Sequence, residues 1–167
     1  MKRGLILLIW VLSLLSSSYA QKVTEGSLAP LKNCGKAKVI LDFNDANIHG
    51  MTEEDFAVYE QDWEIDKPII ISKFMSGLGK KCPSIRFGTE LDGEITLRVK
   101  VLSINAKGNY VCEAFVVNSQ EEIIARITGL NAKGGTFGSK LNLIKDGAEH
   151  TGESLGKYLS KEIRKYK

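Results

Sequence analysis

The sequence predicts an α/β fold of the α+β kind, a mixed, mostly antiparallel sheet covered by helices. Three observations carry that expectation. Between Ser84 and Leu130 apolar residues recur at every second position in runs separated by turn residues, the mark of strands with one buried face. Between Thr52 and Gly79 they recur at intervals of three and four, the helical period. The chain then ends in a second helix-like stretch, about Ala148 to Lys165, with acids at its start and bases at its end, as the helix macrodipole favours.

Taken in order, the first element is KAKVILDF, Lys36 to Phe43, a β-branched run between Gly35 and the turn residues Asn44 and Asp45. Its nearly continuous apolar centre predicts a strand covered on both faces. Thr52, followed by Glu53, Glu54 and Asp55, marks a helix start, with Phe56, Tyr59 and Trp63 expected on one face. A second helix is expected from Asp66 as N-cap, with Pro68 in its first turn and Ile70, Ile71, Phe74, Met75 and Leu78 on one stripe before Gly79. Both aromatic stripes read as core.

Ser84 to Gly88 predicts a short strand and Glu94 to Asn105 a long one, with Ile95, Leu97, Val99 and Val101 facing inward. The alternation slips at the adjacent apolars Val101 and Leu102, which predicts a β-bulge or bend there. Ala106 to Asn109 makes a hairpin turn, Tyr110 to Val117 returns, NSQEE turns again, and Ile123 to Leu130 completes a three-stranded meander. Leu141, Leu143 and Ile144 form a short apolar segment before the last helix. Within that helix Ala148, Gly152, Gly156 and Ser160 recur every four residues. Glycines in a helix interior cost about 1 kcal/mol each against Ala, so the stripe implies close approach of another backbone. That backbone is either the sheet or a helix of a partner.

The amino terminus combines Met1, Lys2 and Arg3, an apolar block from Leu5 to Leu15, and the small residues of SSSYA. This predicts a signal peptide over 1–20, with the mature chain starting at Gln21. The apolar block is too short to span a bilayer, so no transmembrane segment is expected in the mature chain. Residues 21–35 are expected to be loose, and 36–167 to form a single α/β domain. Removing Lys2 and Arg3 from the 23 bases leaves 21 against 20 acids, a net charge near +1. That charge argues against nucleic-acid binding, which needs a concentrated basic surface.

Export changes the meaning of the three cysteines, since the compartment is oxidising. Cys34 and Cys82 both lie in turn-forming surroundings and are disulfide candidates, whereas Cys112, inside YVCEAFVV, reads as a buried apolar residue. No CxxC spacing suggests zinc.

Several motifs approach a chemistry without completing it. KGGTFGSK, Lys133 to Lys140, lies where a phosphate-binding loop would lie, yet Ser139 and Leu141 stand where that motif needs Gly and Ser or Thr. It reads as a joint between packed elements. GESLG, Gly152 to Gly156, has the letters of a hydrolase elbow, but no strand precedes it and no His follows. DANIHGMTEEDF resembles a calcium loop with His49 and Phe56 at ligand positions, leaving Asp45, Asn47, Glu53 and Asp55 as a weak cation site. His49 and His150 fall in unrelated segments and read as surface residues. No cofactor is implied, and no acid, base and nucleophile assemble.

The order of elements, together with KVILDF, INAKGNY, IIARITGL and GGTFGS before DGAEHTGESLGKYLSKEI, resembles small exported α/β domains of the bacterial envelope, lipoprotein-like, with a glycine-rich segment and a C-terminal amphipathic helix. The resemblance extends distantly to the N-terminal domain of TolB and to the curli secretion protein CsgG. It departs from the lipoprotein members because Gln21 stands where an acylated Cys would. The resemblance implies a non-enzymatic, periplasmic or secreted interaction or assembly module, bound to an envelope protein or to itself. The partner-contact candidates are Gly134, Gly135, Phe137, Gly138, Gly152 and Gly156. The alternative is a small-ligand or cation-binding exported protein.

Overall fold

The structure, a computed structural model, describes residues 20–166. The signal peptide expected over 1–20 therefore falls, apart from Ala20, outside the described residues. The architecture is the expected mixed α/β one, with seven strands in one sheet and three α-helices among the described residues. The strands are β1 (Lys22–Gly26), β2 (Lys36–Asp42), β3 (Asn47–Ile48), β4 (Arg86–Gly88), β5 (Ile95–Ile104), β6 (Tyr110–Asn118) and β7 (Ile123–Ala132). The helices are α1 (Glu53–Tyr59), α2 (Trp63–Lys81) and α3 (Lys140–Ile163). The sheet order is β1-β7-β6-β5-β2-β4, with β3 paired to β5 beside β2.

The meander β5-β6-β7 is antiparallel, and β1 extends it antiparallel to β7. β2 pairs parallel with both β4 and β5. Such parallel neighbours need a crossover, which α1 and α2 supply. The residues 21–35, expected to be loose, instead form β1 and a 3-10 turn over Ala29–Asn33 that buries Leu28 and Leu31. Sequence alternation gives little warning of this, because the pairing partner of β1 is about a hundred residues downstream.

One face of the sheet carries the core. Ile95, Leu97, Val99 and Val101 of β5 are buried, as are Tyr110, Cys112, Ala114 and Val116 of β6. The predicted slip is present: the β5-β6 register shifts between Val101 and Ser103, turning Leu102 outward and Ile104 back in. A second shift opposite Cys112 and Ala114 coincides with Gly129 at φ +75°, a left-handed conformation in which glycine is unstrained. It switches the buried parity of β7 from Ile127 to Leu130.

The opposite face is open. β2 alternates buried and accessible residues and is covered on one side only, contrary to the expectation of two. Ion pairs cross this open face, Arg126 with Glu113 at 2.8 Å and with Glu25 at 3.3 Å, and Lys100 with Asp45 at 3.1 Å.

Helix boundaries differ from expectation at two places. α2 begins at Trp63, three residues before the expected N-cap Asp66, which instead sits in its first turn. α3 begins at Lys140, capped by the Ser139 hydroxyl accepting from the Asn142 amide at 3.3 Å. The short apolar segment of Leu141 and Ile144 is thus its first buried turn, continuous with Ala148, Leu155, Leu159 and Ile163. α2 and α3 lie side by side and run the same way, as the successive pairs Asp66–Lys145, Lys73–Glu149 and Lys80–Glu153 record. Their N-termini therefore lie at one end of the molecule.

Candidate functional site

The end where α2 and α3 begin is assembled from α1, the start of α2 and the glycine-rich loop. Thr52 caps α1, accepting from the Asp55 amide at 3.1 Å. The helix stops after two turns because Glu60 leaves helical geometry at φ −110°, ψ 90°. That break puts Trp63 into a new helix, buried between the rings of Phe43 and Phe56 at centroid distances of 5.4 and 5.2 Å. Tyr59, expected on the same buried face, is left outside at 57% exposure.

The loop from Lys133 to Ser139 behaves as a joint. The Gly134 amide donates to Asn109 Oδ1 at 2.8 Å and the Gly135 amide to the Leu143 carbonyl at 3.2 Å. A β-carbon on Gly134 would overlap the Lys107 carbonyl, and one on Gly135 would stand 2.5 Å from Asp146 Oδ2. These glycines allow the loop to lie against the β5-β6 hairpin and α3. Gly138 adopts φ +121°, where a side chain would be strained. Lys140, at the position of a phosphate-binding lysine, donates to the Tyr59 hydroxyl at 2.6 Å with its ammonium 4.2 Å from the ring centroid. That bond raises the pKa of the ammonium. It also fastens the first residue of α3 to α1, and Lys145–Asp66 at 2.7 Å fastens α3 to α2.

From α1, the start of α2 and the glycine-rich loop four large apolar side chains project into solvent: Val58 at 82%, Tyr59 at 57%, Ile65 at 70% and Phe137 at 86% exposure. Of the six expected contact residues, Phe137 belongs to this surface. Gly134, Gly135 and Gly138 shape the loop that presents it.

Gly152 and Gly156 do not belong to it. Both are buried against α2 of the same chain: a β-carbon at Gly152 would overlap the Phe74 carbonyl, and one at Gly156 would come 2.5 Å from that of Leu78. Gly77 answers from α2, facing the Glu149 carbonyl. The small-residue stripe is an internal crossing of two helices. Neither the sheet nor a partner lies against it, so the expected partner-contact role of these two glycines is corrected.

The cation candidates are drawn into other contacts. Asp45 pairs with Lys100, Asn47 Oδ1 accepts from the Gly50 amide at 2.9 Å, Glu53 holds Lys67 at 2.6 Å and Trp63 Nε1 at 3.2 Å, and Asp55 accepts from the Thr52 hydroxyl at 2.9 Å. Asp45, Asn47 and Glu53 border one shallow depression, which Asp55 does not reach. Among the described residues no three His, Cys, Asp or Glu converge on a point that could hold a metal.

Ser154 lies in mid-helix, accepting from Gln21 Nε2 at 2.6 Å. His150 Nδ1 lies 2.9 Å from the Lys133 carbonyl oxygen. His49, expected at the surface, is partly buried at φ +53° with its ring against Phe56 and no partner for Nε2. Cys34 and Cys82 are free thiols, the first donating to the Lys36 carbonyl at 2.9 Å and the second buried beside Ser84, so the expected disulfide is not formed. Cys112 is buried, as expected.

At the other end of α3 the structure brings together a groove not anticipated from the sequence. Lys157 and Lys161, one turn apart, line with Lys22 of β1 a depression that also takes in Asn131, Ser154, Tyr158 and Glu162. These three lysines make no ion pair among the described residues, whereas Lys165 nearby is held by Glu162 at 2.6 Å. The sequence shows Lys157 and Lys161 only as cations near a helix C-terminus. Their meeting with Lys22 depends on the β1-β7 pairing.

Comparison with protein families and with curated proteins returns no match. Among solved structures the chain is similar to a PelC dodecamer from Paraburkholderia phytofirmans at 11% identity and a TM-score of 0.41, over 81% of this chain and 97% of that one. It is also similar to a dodecamer of a PelC variant from the same organism at 12% identity and 0.40, over 81% and 95%. Likeness at this level carries no argument about function. Among the described residues, no helix is long and apolar enough to cross a membrane.

Proposed function

We propose that the protein is an exported, non-enzymatic module of the bacterial envelope that works by docking other proteins through the end formed by α1, the start of α2 and the glycine-rich loop. The observation that carries this reading is the outward projection of Val58, Tyr59, Ile65 and Phe137 from segments tied together by Lys140 and Lys145. Scattered exposed apolar residues are ordinary, but four large ones on adjoining segments mark an interaction surface. The ties matter because a partner meets side chains already held in place, which lowers the ordering cost of association. Export rests on the residue pattern of 1–20.

The test is cross-linking and capture of the mature protein from its own envelope fraction, with wild type compared against Phe137→Ser combined with Ile65→Ser. A stoichiometric partner held by the wild type and lost from the variant, with thermal unfolding unchanged, is the expected result. Equal capture by both proteins overturns this reading.

A further inference from the structure

We infer that the partner of this apolar end is a second copy of the same chain, which receives it in the lysine groove at the far end of α3. The inference rests on the docking role just proposed and names its partner.

Charge complementarity selects the occupant. Along α1 and the start of α2 the apolar end carries Glu54, Asp62 and Glu64, all exposed and without an ion pair among the described residues, while Lys107 and Lys133, likewise exposed and unpaired, lie on its loop side. The groove presents Lys22, Lys157 and Lys161, exposed and likewise unpaired. The two sets are on one chain but cannot meet within it. α3 rises about 1.5 Å per residue, which puts Lys161 roughly 30 Å from Lys140. Each set is therefore left for another molecule, and the chain carries both halves of the match.

The groove also suits the apolar part of the surface. Its lining includes Gly129 and the half-buried Tyr158, and lysine stems can cover apolar groups while their ammonium heads stay in water. Because the two surfaces differ, the contact is head-to-tail. Repetition then generates a closed ring or an open filament and never a self-complementary dimer.

The experiment uses the purified mature protein alone, with mass read by light scattering at about 0.05 M and about 0.5 M salt, since exposed charges are screened within a few ångströms at the higher value. The wild type is expected to form species of at least twice the monomer mass at low salt and to dissociate at high salt. Two variants follow. Lys157→Glu with Lys161→Glu reverses the charge that α3 brings to the groove, and Glu54→Lys with Glu64→Lys reverses that along α1 and the start of α2. Each alone is expected to stay monomeric at low salt, and an equimolar mixture to assemble.

A wild type monomeric at both salts overturns the inference, and so does assembly that ignores salt or a mixture that stays monomeric. Should a charge-reversed variant fail to fold by circular dichroism, the wild-type salt dependence and the milder Lys157→Gln with Lys161→Gln decide instead. A monomeric wild type that still captures a different envelope protein through Phe137 overturns only the identity of the partner. Loss of that capture requirement overturns the docking surface itself.

Discussion

The carbonyl oxygen of Phe74 occupies the place a β-carbon on Gly152 would need, and the Leu78 amide nitrogen would lie 2.9 Å from that carbon. Both obstacles are backbone, so neither can swing aside as a side chain would. α2 and α3 therefore touch main chain to main chain at this point, and the arrangement of both helices on the sheet follows from it.

Gly152→Ala is expected to destabilise the protein by about 2 kcal/mol, because overpacking a tight contact costs roughly 1–3 kcal/mol and outweighs the gain of about 1 kcal/mol from better helix propensity. Gly79, in α2 but with open space around its α-carbon, supplies the control. Gly79→Ala should raise stability by up to about 1 kcal/mol. Urea unfolding of the two variants beside wild type reads both. Shifts of the same sign would mean that the helices stand further apart than described.

Strict alternation through Ile95, Leu97, Val99 and Val101, broken at Leu102, located both the strand and its bulge, because the pleat has a period of two and one inserted residue reverses every later side chain. Thr52 with Asp55 marked a helix start that depends only on local chemistry. The sequence places the start of α3 too late because Asp146 and Gly147 look like turn residues. Gly147 is there because the Gly108 carbonyl and the Tyr110 ring press against it. The stripe through Gly152 announced a close approach but not its partner, since Gly77 lies 75 positions upstream and no local period links them.

The site divides the same way. Phe137, an aromatic residue among glycines, was visible as a contact candidate. Tyr59 was not, because the helical phase from Phe56 to Trp63 is broken at Glu60, and only the chain path reveals the break. The lysine groove was invisible for a related reason, since β1 has a single half-buried apolar residue, Val23, and no periodic signal.

The three cysteines give a second prediction. Cys34 is partly accessible, with its thiol pKa pushed up chiefly by burial, while Cys82 and Cys112 are buried and their thiols are raised by desolvation as well. Alkylation by a small neutral reagent is therefore expected to be slow and confined to Cys34 in the native protein, because the thiolate is the reactive form. After denaturation without reductant all three should react. Mass spectrometry distinguishes the outcomes: one modified cysteine in the denatured sample would mean that Cys34 and Cys82 are bridged after all.

The last prediction concerns His49. Its ring lies edge-on to Phe56, 5.3 Å between centroids, and its Nε2 is buried without an acceptor, so the imidazolium form has nowhere to place its second proton. Desolvation lowers its pKa below the ordinary 6.5, and the nearby Lys140 lowers it further, against smaller opposing effects of the Asn105 backbone and Glu60. The sign follows from proton uptake. Below 6.5 the unfolded chain binds a proton at this histidine that the folded chain resists, so stability is full above that value and falls as the pH descends toward the depressed folded pKa. His49→Asn removes the titrating ring while retaining a residue that tolerates the left-handed backbone at φ +53°. Denaturation midpoints compared at about pH 7.5 and about pH 5.5 should therefore fall further in wild type than in the variant. An equal fall in both would mean that His49 is solvated in the folded protein and that its contact with Phe56 is open to water.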